Sequence, residues 1–279
     1  MQIFRDISSL QLSLNELRLE RKTVGLVPTM GALHDGHAAL LKASLAENDV
    51  TVCSIFVNPT QFNNDDDLKN YPRTFDLDTE FLKSFDCDIV FNPSVEEMYP
   101  KNPLLKFNFG DLEQSMEGSH RPGHFNGVAI VVSKLFNIVN PDRAYFGQKD
   151  LQQYKIISQL VKDLSYNIEL RQIPIKRDDS GLAMSSRNKR LSAGGLKSAA
   201  KLSQTLEEAK KSIVDHKDFD EVRTELINNL EIEGISVEYL EYVNADSLES
   251  VKNNSANNSV AVCIAATVDG VRLIDNIIF

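Results

Sequence analysis

Two imidazoles three positions apart, His34 and His37, stand in the stretch Thr29-Met30-Gly31-Ala32-Leu33-His34-Asp35-Gly36-His37. It follows the short apolar run Val24-Gly25-Leu26-Val27-Pro28 and precedes a helix-forming segment. Glycines at 31 and 36 let a strand-to-helix turn close tightly, and the free N–H groups and positive dipole at the start of the next helix favour an anion. Histidines at this spacing reach neighbouring sides of one helical turn, or both face the loop mouth if the segment is not helical. In either case both rings can hydrogen-bond one polyphosphate, so phosphate chemistry is the expectation.

Other segments offer further donors, each with a plainer reading beside it. Gly147-Gln148-Lys149-Asp150 places a lysine between a short strand and a helix, either as a point charge on phosphate or as a simple turn that Asp150 caps. Met184-Ser185-Ser186-Arg187 supplies two hydroxyls and a guanidinium, either a phosphate clamp or the start of a helix. Arg121-Pro122-Gly123-His124-Phe125 joins a bidentate donor to a rigid turn, and a surface turn alone would account for it. In Asn58-Pro59-Thr60-Gln61-Phe62 the amides suit a polar substrate, or the segment is a turn. His120 and His124 have no cysteine or second histidine pair near them, which argues against zinc, and His216 in a charged helix reads as solvated.

These segments need elements to hold them. Val24–Pro28, Gly36–Glu47 and Val50–Val57 form a strand–helix–strand unit, and 87–91, 127–139, 144–146, 151–164 and 167–174 continue the alternation. The order predicts an α/β, Rossmann-like, doubly wound parallel sheet, whose ligands sit beyond the carboxyl ends of the strands, where the histidine loop lies. Residues 62–70 are acidic and polar and read as a mobile surface loop. After about residue 176 the texture changes to two helical stretches, 193–216 and 219–230, and then three strand-like runs, 236–243, 260–267 and 271–274. The expected division is therefore a nucleotide-binding domain over 1–175 and a smaller α+β domain over 176–279, with Asp269-Gly270 turning a hairpin.

Composition narrows the class. The 279 residues are 42% hydrophobic and 25% charged, and no apolar run approaches the roughly 18 residues of a membrane span. A net charge of −10 repels nucleic-acid backbones and leaves small molecules as the expected partners. The amino terminus, Met1 to Ile7, lacks a basic region followed by an apolar core, so the cytoplasm is the expected location. Cys53, Cys87 and Cys263 are odd in number and sit in apolar contexts, which predicts buried free thiols. The Asn-x-Ser matches at Asn253 and Asn257 read as one polar loop.

Taken in order, HxGH, NPTQF, YPRT at 71–74, RPGHF, GQKDLQQ and MSSRN closely resemble the pantoate–β-alanine ligase (pantothenate synthetase) family, over essentially the whole chain to Arg272-Leu273-Ile274-Asp275-Asn276. HxGH alone would indicate only the wider nucleotidyltransferase superfamily. The resemblance implies a Rossmann-type domain, a carboxy-terminal domain covering the nucleotide, and a homodimer. It implies that pantoate attacks ATP, accompanied by Mg²⁺, to give pantoyl adenylate and pyrophosphate, and that β-alanine then releases AMP. No bound organic cofactor is implied.

By motif, Met30, Gly31, Ala32, Leu33, His34, Asp35, Gly36 and His37 would wall the ATP site, with His34 and His37 catalytic and His37 the proton donor. Gly147, Gln148, Lys149 and Asp150 would complete it with Lys176 and with Met184, Ser185, Ser186 and Arg187. Gln61 and Gln153 would hold pantoate, with Asn58 and Arg121 also on substrate. Asp78 matches a position associated with magnesium, and an exposed acidic residue is the alternative there. The chain departs from the family pattern at Lys176, where valine is commoner, at Asn126, where arginine is common, and at His120, where a small residue is usual. A lid made of 62–70 and the carboxy-terminal domain is expected, because the adenylate must be kept from water. The alternatives are a dinucleotide-forming nucleotidyltransferase, which would release no AMP, and a non-catalytic nucleotide-binding regulator.

Overall fold

The structure, a computed structural model, describes residues 1–63, 65–251 and 259–279, apart from the Asp65 side chain. The polar stretch carrying Asn253 and Asn257, and Asn64 of the acidic segment, lie outside the described residues. The described chain divides into two units, Met1–Gly147 with Ile156–Ile173, and Gln148–Lys155 with Pro174–Phe279.

The first unit begins with β1 (Gln2–Phe4), α1 (Ile7–Leu19), β2 (Val24–Thr29), α2 (Asp35–Glu47) and β3 (Val50–Ile55). It continues through α3 (Asp65–Lys69), α4 (Phe75–Ser84), β4 (Ile89–Phe91), α5 (Val95–Met98), α6 (Met116–His120), α7 (His124–Val139) and β5 (Arg143–Gly147). After β5, α8 (Leu151–Asp163) crosses the unit boundary, and β6 (Glu169–Ile173) follows. Six strands form one sheet in the order β1-β4-β3-β2-β5-β6, and every pairing is parallel. The winding reverses between β2 and β5, so their carboxyl ends, Thr29 and Gly147, belong to neighbouring strands at the switch point where such sheets bind ligands.

Strand β3 is buried at every position and β2 at all but one, which is why both read as continuous apolar runs without alternation. Val27, Leu40, Leu41, Cys53, Ile55, Leu82, Val90 and Tyr145 pack into one core between the sheet and its helices. Helices α1 and α4, absent from the expected pattern, dock through a few residues each: α1 buries Leu10 and Leu14 and is capped by Asp6, whose carboxylate accepts from Ser9 N–H at 2.8 Å. The acidic segment expected as a loop forms the one-turn helix α3, with Asp66 and Asp67 early and Lys69 in its last turn, an arrangement the helix dipole favours.

In the second unit, α9 (Ala193–Val214) and α10 (Phe219–Ile232) are followed by the antiparallel sheet β7 (Ser236–Asn244), β8 (Val260–Val268) and β9 (Val271–Ile278). Asp269 and Gly270, at φ 53° and 72°, turn the tight hairpin between β8 and β9. Leu202, Leu206, Ile213, Leu226, Leu240, Val262 and Ile264 are among the side chains that close the core beneath the two helices. All three cysteines are buried and none is in a disulfide. Among the described residues no helix is long and apolar enough to cross a membrane.

Candidate active site

At the carboxyl end of β2 the chain turns through Gly31 and Ala32, at φ 81° and 51°. Ala32 sits in a region that costs an L-residue roughly 1–2 kcal/mol, so something must hold it there. Asp78, on the first turn of α4 and only 3% exposed, supplies the restraint. Its carboxylate accepts from Leu33 N–H at 2.7 Å, from Ala32 N–H at 3.0 Å and from the Thr74 hydroxyl at 3.2 Å. A Cβ on Gly31 would stand 3.0 Å from the same carboxylate, leaving little room for a larger residue beside it.

His34 is the N-cap of α2, and its Nδ1 accepts from Gly36 N–H at 3.1 Å. His37 completes a reciprocal box, its Nδ1 accepting from His34 N–H at 3.3 Å, with the two ring centroids 4.1 Å apart. Because each Nδ1 accepts, each ring is assigned as the neutral tautomer carrying its proton on Nε2. Five backbone N–H groups of this turn are engaged by the loop itself: Gly31 N–H donates to the Thr29 hydroxyl, Ala32 and Leu33 to Asp78, and His34 and Gly36 to imidazoles. A backbone donor carries one proton, and these are spent on the loop's own shape. An anion at this turn therefore meets ring Nε2–H groups and the helix dipole in place of those backbone donors.

Asp78 is also corrected as an exposed acid, and its magnesium assignment does not fit the donor set. Both of its oxygens are engaged by protein donors, and among the described residues no group of three or more His, Cys, Asp or Glu side chains is arranged to hold a metal.

Beyond β3, Asn58 is 1% exposed and caps the short 3-10 turn Pro59–Gln61. Its Nδ2 donates to Gln61 Oε1 at 3.0 Å and to Gly127 O at 3.1 Å, while Oδ1 accepts from the Tyr99 hydroxyl at 2.8 Å and the Thr60 hydroxyl at 2.9 Å. All four of its hydrogen-bonding places are filled, so the direct substrate contact expected of Asn58 is replaced by a role in aiming Gln61. The Gln61 amide nitrogen lies 3.1 Å from Met30 Sδ, which joins the NPTQF turn to the histidine loop.

The RPGHF segment supports the same glutamine from the other side. Pro122 and Gly123 do form an exposed turn, but His124 is buried, with Nδ1 2.8 Å from Gln61 O. Arg121 stands 3.2 Å from His124 Nε2, 3.5 Å from Gln61 O and 3.5 Å from Glu117. With Arg121 donating to Nε2, the His124 proton lies on Nδ1 and donates to the Gln61 carbonyl. Arg121, expected on substrate, is thus drawn into holding the backbone of Gln61. Tyr99 and Glu117, not singled out in the sequence, complete this network. Nothing in the local pattern marks Tyr99, whose partner Asn58 is 41 residues away, whereas Glu117 stands four residues before Arg121, a helical spacing that could have marked it. His120 is exposed, and Asn126 accepts from Phe107 N–H at 2.8 Å.

In the second unit, Gln148–Asp150 form a 3-10 turn in which Lys149 Nζ stands 3.4 Å from both oxygens of Asp150. Gln153 is half-buried on the first turn of α8. Lys176 is exposed, and its carbonyl accepts from Met184 N–H at 2.9 Å across a narrow hairpin whose bridge pairs Arg177 with Ala183. Ser185 acts as a helix start, its hydroxyl accepting from Arg187 N–H at 3.3 Å ahead of the 3-10 helix Ser186–Arg190. His216 is exposed as expected, but it lies in the turn two residues beyond α9 and not in the helix.

A family-wide sequence profile described as Pantoate-beta-alanine ligase matches residues 2–278. The pantothenate synthetase of Cytophaga hutchinsonii is 50% identical over 98% of this chain and 97% of its own length. The crystal structure of pantothenate synthetase from Thermus thermophilus superposes with a TM-score of 0.91 at 36% identity, covering 99% of each chain. That of pantoate-beta-alanine ligase from Francisella tularensis, complexed with beta-gamma ATP and beta-alanine, gives 0.85 at 38% identity, covering 99% of this chain and 97% of the other. With the motifs in one order, the switch-point loop built around two histidines, and similarity running end to end, the chain belongs to the pantoate–β-alanine ligase family.

Proposed function

We propose that this chain condenses pantoate with β-alanine at the expense of ATP, in two steps. The pantoate carboxylate attacks the α-phosphorus, the bond to pyrophosphate breaks, and pantoyl adenylate forms. The β-alanine amine then attacks the activated carbonyl and loses a proton, and AMP leaves with the former carboxylate oxygen. The observation that carries this reading is the pair His34 and His37, whose Nδ1 atoms are held by backbone N–H groups at the start of α2. Their Nε2–H groups are donors whose tautomer is fixed before substrate arrives, as stabilising charge that develops on phosphate oxygens requires.

His37 is proposed as the donor to the departing pyrophosphate, and Gln61 and Gln153 as the amides that orient pantoate. The Francisella tularensis relative was crystallised with beta-gamma ATP and beta-alanine, which supports both ligands for this chain. Lys149, Lys176 and the 184–187 turn are proposed to serve ATP. Magnesium is proposed only as the companion of ATP's phosphates. The cytoplasm and a homodimer are the proposed location and assembly.

The reaction is tested with pantoate labelled by ¹⁸O in its carboxylate. Transfer of one labelled oxygen to AMP, with pyrophosphate release that depends on pantoate, is the expected result. Label in inorganic phosphate, or turnover without AMP, would overturn it.

A further inference from the structure

The last strand of the chain, β9, ends its inner stretch with two consecutive buried polar residues, Asp275 and Asn276, 4% and 2% exposed. Neither is needed to pair the strand, whose ladder to β8 is made by backbone groups through Cys263 and Ile264. Alternation along a strand sends the two side chains to opposite faces, and each meets a different loop.

Asp275 takes the Arg177 guanidinium in a two-pronged grip, with nitrogen–oxygen distances of 2.6 and 3.0 Å. The same guanidinium donates to Gly181 O at 3.0 Å and to Asn276 O at 3.2 Å, tying the far end of the 176–184 hairpin to the strand. Asn276 reaches the other loop. Its Nδ2 donates to Gln148 O at 3.0 Å and Lys149 O at 2.9 Å, and its Oδ1 accepts from Gln148 Nε2 at 3.2 Å. The amide therefore spends both donors and an acceptor on one two-residue stretch. Asp275 Oδ1 also accepts from Asn276 N–H at 2.8 Å, which couples the two grips.

We infer that Asp275 and Asn276, with Arg177, are positioning residues that hold the 148–150 turn and the 176–187 segment in one fixed arrangement, so that Lys149, Met184 and Arg187 are placed for a nucleotide before it binds. A forked guanidinium–carboxylate pair fixes direction as well as distance, and an amide bonded at three points cannot rotate without losing all of them. Preorganisation of this kind removes an ordering cost from ligand binding, so its loss appears in ATP affinity. The inference rests on the proposed ATP role of these two loops.

The test measures ATP dissociation by calorimetry, pantoate KM and the thermal midpoint in Asn276→Ala and Arg177→Lys, beside Lys149→Ala and Arg187→Ala. Arg177 is partly exposed, and lysine keeps its charge while losing the fork, so this variant remains informative if Asn276→Ala does not fold. Expected is ATP binding weakened tenfold or more in both positioning variants, with pantoate KM within twofold of the parent. ATP affinity within twofold of the parent in Asn276→Ala and Arg177→Lys overturns the inference, as does proportional weakening of ATP and pantoate together with a lowered midpoint. Unchanged ATP affinity in Lys149→Ala and Arg187→Ala instead sinks the ATP reading of the loops themselves.

Discussion

The His37 ring accepts the backbone N–H of His34 at 3.3 Å, so the imidazole proposed as hydrogen-bond donor to the departing pyrophosphate also shapes the turn that carries its neighbour. Protonating Nδ1 would displace that N–H. In its proposed role the ring therefore acts as a hydrogen-bond donor through a neutral Nε2–H unless the turn opens.

Replacing His37 with alanine separates the two jobs by magnitude. Loss of the reciprocal cap costs about 1 kcal/mol of stability, whereas loss of a donor to the departing phosphate lowers the single-turnover rate of adenylate formation by more than about 10²-fold. Rapid-quench pyrophosphate release and a urea titration read the two effects. A rate within a factor of two or three of the parent would remove His37 from the chemistry.

Asp78→Asn distinguishes a loop brace from a metal ligand. The asparagine oxygen can replace only one of the two acceptors, and the amide hydrogens then face a backbone N–H, which costs roughly 1–3 kcal/mol. The urea midpoint is expected to fall with an unchanged slope, and ATP binding with it. A variant with the parent midpoint and a raised Mg²⁺ requirement would restore the metal assignment.

Gly127 lies where α7 passes the NPTQF turn. A Cβ there would stand 2.2 Å from Thr60 O and 2.5 Å from the Thr60 carbonyl carbon, so Gly127→Ala must push two backbones apart. Alanine's gain in helix propensity, close to 1 kcal/mol, is smaller than the roughly 1–3 kcal/mol of overpacking. Net destabilisation and a higher pantoate KM are expected, because the displaced Thr60 carries Gln61 with it. A more stable variant would show that the propensity term wins.

Burial pushes the Cys87 thiol up to about 11 from its ordinary 9.0, and Cys53 well above its ordinary value. The native protein at pH 8 is expected to leave both unreacted toward a thiol-specific disulfide reagent, while the denatured chain reacts at all three cysteines. For an acid raised in the folded state, the unfolded chain ionises first, so stability falls as pH rises from 9 to 11, by about 2–3 kcal/mol from Cys87. Denaturant midpoints across that range, compared with Cys87→Ala, check the slope; an equal slope in the variant would assign the loss elsewhere.

Local patterning carried the strand–helix alternation of the first unit, the position of the histidine turn and the Asp269-Gly270 hairpin, because each depends on neighbours within a few residues. The joint order of the motifs carried the family. Helices α1 and α4 were not legible, since α1 buries only Leu10 and Leu14, and two of the three residues that α4 buries, Asp78 and Thr79, are polar. The assignments of individual donors required the folded chain. Asp78 meets Ala32 and Leu33 across 46 and 45 residues, and Asn276 meets Gln148 and Lys149 across 128 and 127. A short segment can announce that it has donors to offer. Whether those donors face a ligand or satisfy the backbone beside them depends on which distant chain folds against them, and a buried polar group with an internal partner is already spent.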